Sequence, residues 1–174
     1  MGHHYHHLRR NKPRLMTIIL FVLLAVGIGG YWGYHVYTQP FSKKIVDQVG
    51  FGIWYPRTTK TGYKLQKNTI QFDQRLNILS FIASNGSQEL TFNEQVVPEN
   101  FARDPGLFSD TVAQIPQITT LESIYGTVSI TRPSEDGGVS AIMRARGTML
   151  AVRSSKDMVA DEWRSIFNGL DFVQ

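Results

Sequence analysis

Residues 76–95 read LNILSFIASNGSQELTFNEQ. In the second arm Leu90 and Phe92 alternate with Glu89, Thr91 and Asn93, which turns one face to a core and the other to water. Asn85-Gly86 tolerates the positive φ values that a type I′ turn demands. The stretch therefore predicts a hairpin: a strand over Leu76–Ala83, a turn at Asn85-Gly86 and a return over Gln88–Gln95. Asn85-Gly86-Ser87 is also a glycosylation sequon, but the turn accounts for the same residues without it. A one-faced antiparallel sheet must bury that face, so more strands and a covering element are required.

Both flanks supply them. Upstream, Phe51-Gly52-Ile53-Trp54-Tyr55 reads as a strand closed by Pro56, Thr61-Gly62-Tyr63 as a turn into a second extended piece, and Thr69–Phe72 as a third. Downstream, Pro98, Pro105 and Pro116 predict a loop over 98–118 with one helical turn near Phe108–Gln114. Strands follow at Thr120–Tyr125, Thr127–Arg132, Val139–Arg146 and Met149–Arg153, with a turn at Pro133–Gly138 and a break at Gly147. The chain ends in a predicted helix, N-capped by Ser154 or Ser155 with Asp157 behind it. Val159, Trp163, Ile166, Phe167 and Leu170 make one apolar stripe, and Gly169 suits the C-terminal cap. The polar face of that helix mixes Asp161, Glu162 and Arg164, which favours packing on the sheet over lying on a membrane.

A different physics governs the front. Leu15–Tyr34 contains no charged residue, and a membrane helix needs about 20 such positions. Arg9, Arg10, Lys12 and Arg14 stand before the run, while Tyr31, Trp32, Tyr34 and Tyr37 gather at its far end, where amphipathic rings favour the headgroup layer. Lys43 and Lys44 form a smaller basic group beyond it. The larger basic cluster stays cytoplasmic, so the expected topology is a single-pass signal anchor in the cell membrane with the C-terminal domain outside. The bulky aromatic exit argues against cleavage as a signal peptide. Gly29 and Gly33 have helix-contact spacing but sit at the outer end, and read as local flexibility before dimerisation. The expected organisation is a basic His-rich cytoplasmic tail over 1–14, a transmembrane helix over 15–37, a short stalk over 38–49 able to turn helical, and an extracytoplasmic α+β domain over 50–174. That domain is a mostly antiparallel sheet with the C-terminal amphipathic helix packed on it.

The chemistry is restrictive. The four basic residues of the tail account for the whole formal charge of +4, so the domain carries no net basic face and no nucleic-acid partner is expected. The chain has no cysteine, which removes thiol nucleophiles, disulfides and thiolate metal sites. Its five histidines are His3, His4, His6, His7 and His35, all before the domain. A Ser-His-Asp triad, a Cys-His dyad and an ordinary zinc site are therefore excluded there. The N-terminal histidines are expected to have no specific role, with metal or headgroup contact as the alternative. Asp73, Glu89, Glu94, Asp104, Glu122 and Asp136 remain as candidate general acids and bases, but no spacing among them selects a pair. Arg144 and Arg146 share a predicted strand face with Arg153 in the next strand; a solvated edge is the expected reading and an anion reader the alternative.

Gly62-Tyr63-Lys64-Leu65, the strand ending Glu94-Gln95 and the closing strand-then-helix over 150–170 together resemble a bacterial extracytoplasmic domain of unknown function. It occurs in single-pass membrane proteins, sometimes linked to anti-sigma-factor-like segments. The resemblance spans about residues 50–172. It implies an α+β fold and a non-catalytic sensing or binding role, with no established site residues to carry over. The short tail before the span departs from the anti-sigma arrangement, being too small for a folded sigma-binding domain. The expected function is a membrane-anchored binding or interaction module, without catalytic or cofactor chemistry, acting on an envelope protein or ligand beside the lipid bilayer. The rivals are an envelope hydrolase using an Asp/Glu pair and a structural subunit of a membrane assembly.

Overall fold

The computed structural model describes residues 39–115, 117–131 and 138–174. The predicted span at 15–37, its flanking arginines and its aromatic rim lie outside these residues, as does most of the turn at 133–138. Among the described residues no helix is long and apolar enough to cross a membrane.

The compact unit from Pro40 to Gln174 is α+β. Its main sheet has seven antiparallel strands: β2 (Lys64–Asp73), β3 (Ile78–Ser84), β4 (Glu89–Val96), β5 (Gln117–Ser123), β6 (Gly126–Thr131), β7 (Val139–Ala145) and β8 (Thr148–Ser154). They lie in the order β2-β3-β4-β8-β7-β6-β5. A separate two-stranded ribbon joins β1 (Ile53–Pro56) to β9 (Leu170–Val173). Five helices complete the described unit: α1 (Lys43–Val49), α2 (Thr58–Thr61), α3 (Glu99–Arg103), α4 (Pro105–Ala113) and α5 (Ala160–Asn168).

Alternation in the strands builds the core. Register aligns Phe81, Phe92, Val152, Ala141 and Ile130 across the sheet, all buried. A second row runs Leu79, Glu94, Leu150, Met143, Val128 and Leu121. Phe41, together with Val49 from α1, Trp54 from the ribbon and Trp163, Ile166 and Phe167 from α5, belongs to the same apolar cluster as these rows. The other face holds alternating polar groups such as Ser80 and Asn93. At one side α3 and α4 meet it, where the Arg144 guanidinium donates to the Phe101 carbonyl at 2.6 Å.

The expected hairpin is present with strands paired from Ile78↔Gln95 to Ser84↔Glu89, but its turn differs. Residues 85–88 form a four-residue loop in which Asn85 Oδ1 accepts from the backbone N–H groups of Ser87 and Gln88. Gly86 has φ +91 while Asn85 stays out of the left-handed region, so no type I′ turn forms there. The left-handed pair occurs at Arg146 (φ +49) and Gly147 (φ +78), between β7 and β8. The two extended pieces expected near 63–72 are one strand, β2, whose register shifts between Gln66 and Gln71. The Thr69 hydroxyl bridges that bulge: it donates to the Gln66 carbonyl and accepts from the Ile82 N–H. Bulging at this edge disrupts the flat template that another strand would join.

Three further expectations are corrected. The stretch expected as a stalk able to turn helical is indeed helical over Lys43–Val49, but it gives Phe41 and Val49 to the core, so the compact unit begins at Pro40 and not near Gly50. The loop expected after Pro98 contains two helices. Pro105 occupies a first-turn position where its missing N–H is no loss, and Asp104 accepts from the N–H groups of Gly106 and Leu107. The last helix starts at Ala160 and not near Ser154, because β8 runs through Ser154, which is buried and accepts from the Lys156 N–H in the following turn. Glu162 accepts from the Val159 N–H at its start, and the chain continues past Gly169 into β9, an element the apolar pattern did not reveal. Gly169 sits at the helix end with φ −92; a Cβ there would lie 2.5 Å from Thr61, so close packing and not a left-handed turn requires glycine. Trp163, Ile166, Phe167 and Leu170 of the stripe are buried, whereas Val159 is 65% exposed.

Candidate functional site

Two ionisable side chains meet the buried Trp54 in opposite ways. Glu94 follows Leu90 and Phe92 at period two, so strand parity aims it into the core. It is fully buried between Leu79 and Leu150 on the neighbouring strands. Its Oε2 accepts from the Trp54 N–H at 2.9 Å and ties β4 to the ribbon, while Oε1 has no hydrogen-bond partner. Burial pushes this carboxyl well above its ordinary range, and the Trp54 N–H offsets the shift only in part. Two register positions further along, the Thr148 hydroxyl donates to the Gly52 carbonyl at 2.8 Å, a second tie of the sheet to the chain entering the ribbon.

Arg146 lies at the end of the same layer, in the turn between β7 and β8. Its guanidinium carbon sits 5.0 Å from the centroid of the Phe172 ring, 5.6 Å from Trp54 and 6.0 Å from Tyr125. Three distant pieces of chain build this platform. The β1–β9 register puts Trp54 opposite Phe172, with ring centroids 4.8 Å apart. Tyr125 packs 4.7 Å from Trp54 on the turn between β5 and β6, and its hydroxyl donates to the Leu170 carbonyl. A Cβ at Gly52 would fall 1.9 Å from the Phe172 ring, so glycine there leaves the space that the ring fills. Arg146 makes no ion pair or hydrogen bond among the described residues, and its backbone is left-handed. Exposed Ile124 precedes Tyr125, and exposed Val96 pairs with Thr148 just beyond the Arg146-Gly147 turn.

The other candidate residues are dispersed. Asp73 accepts from the Arg75 and Leu76 N–H groups in a turn, Asp104 caps α4, Glu89 meets the Gln66 amide, and Glu122 accepts from Thr127. None of these contacts links two of the carboxylates, and Asp136 lies outside the described residues. The arginines expected to share a face do not: β7 ends at Ala145, which leaves Arg146 in the turn, and Arg144 is engaged with Phe101 and the Phe108 ring. Among the described residues no cluster of His, Asp and Glu could hold a metal ion. The face of the sheet opposite the core carries a mostly apolar hollow of about 150 Å³ lined by Ile78, Asn93, Glu94, Gln95, Ile142, Met149 and Ala151.

The signal for Glu94 was present in the parity of β4, which the alternating pattern already implied. No local signal marks Arg146, because its three rings come from residues 54, 125 and 172. The fold and the site define the class only as an antiparallel α+β domain with a buried acid and an aromatic-backed arginine. Compared with family models, with curated proteins and with solved structures, the chain finds no match in any of the three.

Proposed function

We propose that the chain is a single-pass, membrane-anchored binding or interaction module whose C-terminal domain stands outside the cell, in keeping with its resemblance to extracytoplasmic domains of that kind. The charge-free run behind Arg9, Arg10, Lys12 and Arg14 supports the anchor and its orientation. The observation that carries the binding reading is the Arg146 guanidinium, held against three rings with its donors unclaimed among the described residues. Arginine and aromatic residues in that combination are what dominate recognition surfaces. Protease added to intact cells should digest the domain and spare the tail; full protection of the domain refutes the topology. Pulldown of the full chain from solubilised membrane should retain a stoichiometric partner that an Arg146→Ala chain releases.

The rival reading is an envelope hydrolase, and Glu94 favours it in one respect: a carboxyl held protonated is what a general acid needs. Its complete burial argues the other way, since a substrate would have to reach it through the core. Turnover of glycan or peptide substrates that vanishes on Glu94→Gln would establish the hydrolase.

A further inference from the structure

We infer that Arg146 is the anchor for a carboxylate on an acidic, aliphatic peptide segment of a partner; this deepens the binding reading above and rests on it. A guanidinium carries five N–H donors in a rigid plane that matches a carboxylate in bidentate fashion. In most arginines the flexible stem must be ordered when the ligand arrives. Here three rings, at 5.0, 5.6 and 6.0 Å, already hold the group, so that ordering is done before binding. Among the described residues no carboxylate pairs with it, so none has to be displaced there. Arg57 and Lys60 differ in this respect, since both pair with Asp171, and Arg144 already donates to the Phe101 carbonyl. The nearest buried acid, Glu94, gives its bonded oxygen to the Trp54 N–H and is held toward its neutral form.

The backbone supports the same assignment. Arg146 has φ +49 in a two-residue turn beside Gly147, a conformation that asparagine or glycine adopts more easily. An arginine there accepts local strain while placing its side chain on the rings. The surroundings select the ligand. Ile124 is 68% exposed and Val96 47% exposed, one beside Tyr125 and the other beside the turn. An acidic side chain flanked by aliphatic ones would cover both, whereas an acidic glycan would set hydroxyl groups against them.

The test uses the full chain in detergent micelles, a fluorescein-labelled peptide of leucine and glutamate, its glutamine counterpart, and an oligogalacturonate. Fluorescence anisotropy should give saturable binding of the glutamate peptide, little of the glutamine one, and weaker binding of the oligogalacturonate. Arg146→Lys keeps the charge but loses the fork, so affinity should fall about tenfold or more while the melting temperature stays close to that of the parent chain. Equal affinity in Arg146→Lys and Arg146→Ala chains to that of the parent would overturn the inference, because binding would then belong to the basic tail. Equal binding of the glutamine peptide, or stronger binding of the oligogalacturonate, would overturn it as well. A stoichiometric membrane partner that Arg146→Ala still retains would leave a binding module standing and remove this anchor; absence of both partner and peptide binding would remove both.

Discussion

The middle of the inner layer and its open end treat charge in opposite ways. Around Glu94 the layer is sealed: a row of Leu79, Leu150, Met143 and Val128 leaves one hydrogen bond and an acid that favours its neutral form. Around Arg146 the layer is open: the residue is exposed and its guanidinium lies over three rings. Trp54 belongs to both regions, its backbone bonded to the acid and its indole under the arginine. The difference teaches how one layer makes an ionisable group a structural tie where it is sealed and an exposed surface where it is open.

The largest expected effect tests the seal. Trp163 is fully buried in the same layer, and Trp163→Ala should destabilise the domain by about 3–5 kcal/mol in urea unfolding. A loss well under this would mean that α5 is held loosely and that the layer is not sealed. Next comes pH. The folded form keeps the Glu94 proton above the ordinary carboxyl range, while the unfolded chain has already released it. Over that interval the native state binds more protons, so stability falls as pH rises, at about 1.4 kcal/mol per pH unit until the folded group titrates. Below the ordinary carboxyl value both states are protonated and the effect vanishes. Glu94→Gln keeps an acceptor for the Trp54 N–H and should abolish this fall; the same slope in both chains would show that another group causes it.

The open end should respond less. Arg146→Ala should lower stability by about 0.5–2 kcal/mol in urea unfolding, the range for a cation over aromatic faces. In a Gly52→Ala background, where Phe172 must move, the Arg146→Ala loss should be smaller than in the parent; full additivity would mean that the Phe172 ring contributes nothing to holding the guanidinium. The smallest effect belongs to the 85–88 loop. Asn85→Ala removes two backbone bonds at an exposed turn and should cost about 0.5–1.5 kcal/mol, with peptide binding at Arg146 unchanged. Loss of that binding would show that the two ends of the sheet are coupled.

Sequence alone determined what repeats locally. The alternation in 76–95 set the β3–β4 hairpin, its buried face and the inward parity of Glu94, because side chains in a strand point to opposite faces in turn. The stripe on α5 marked Trp163, Ile166 and Phe167 as core, and the absence of cysteine and domain histidine narrowed the chemistry before any fold was known. What only the tertiary structure decided depends on distant partners. The turn expected from Asn-Gly became a loop closed by the Asn85 side chain, while the left-handed pair went to Arg146-Gly147, where pairing of Ala145 with Thr148 leaves just two residues to reverse the chain. β9 was hidden because four residues after a helix become a strand only when β1 offers its backbone groups. The Arg146 platform was hidden for the same reason: a cation gains from aromatic faces only once folding brings rings 54, 125 and 172 to one place, and no pattern within a window of sequence records that meeting.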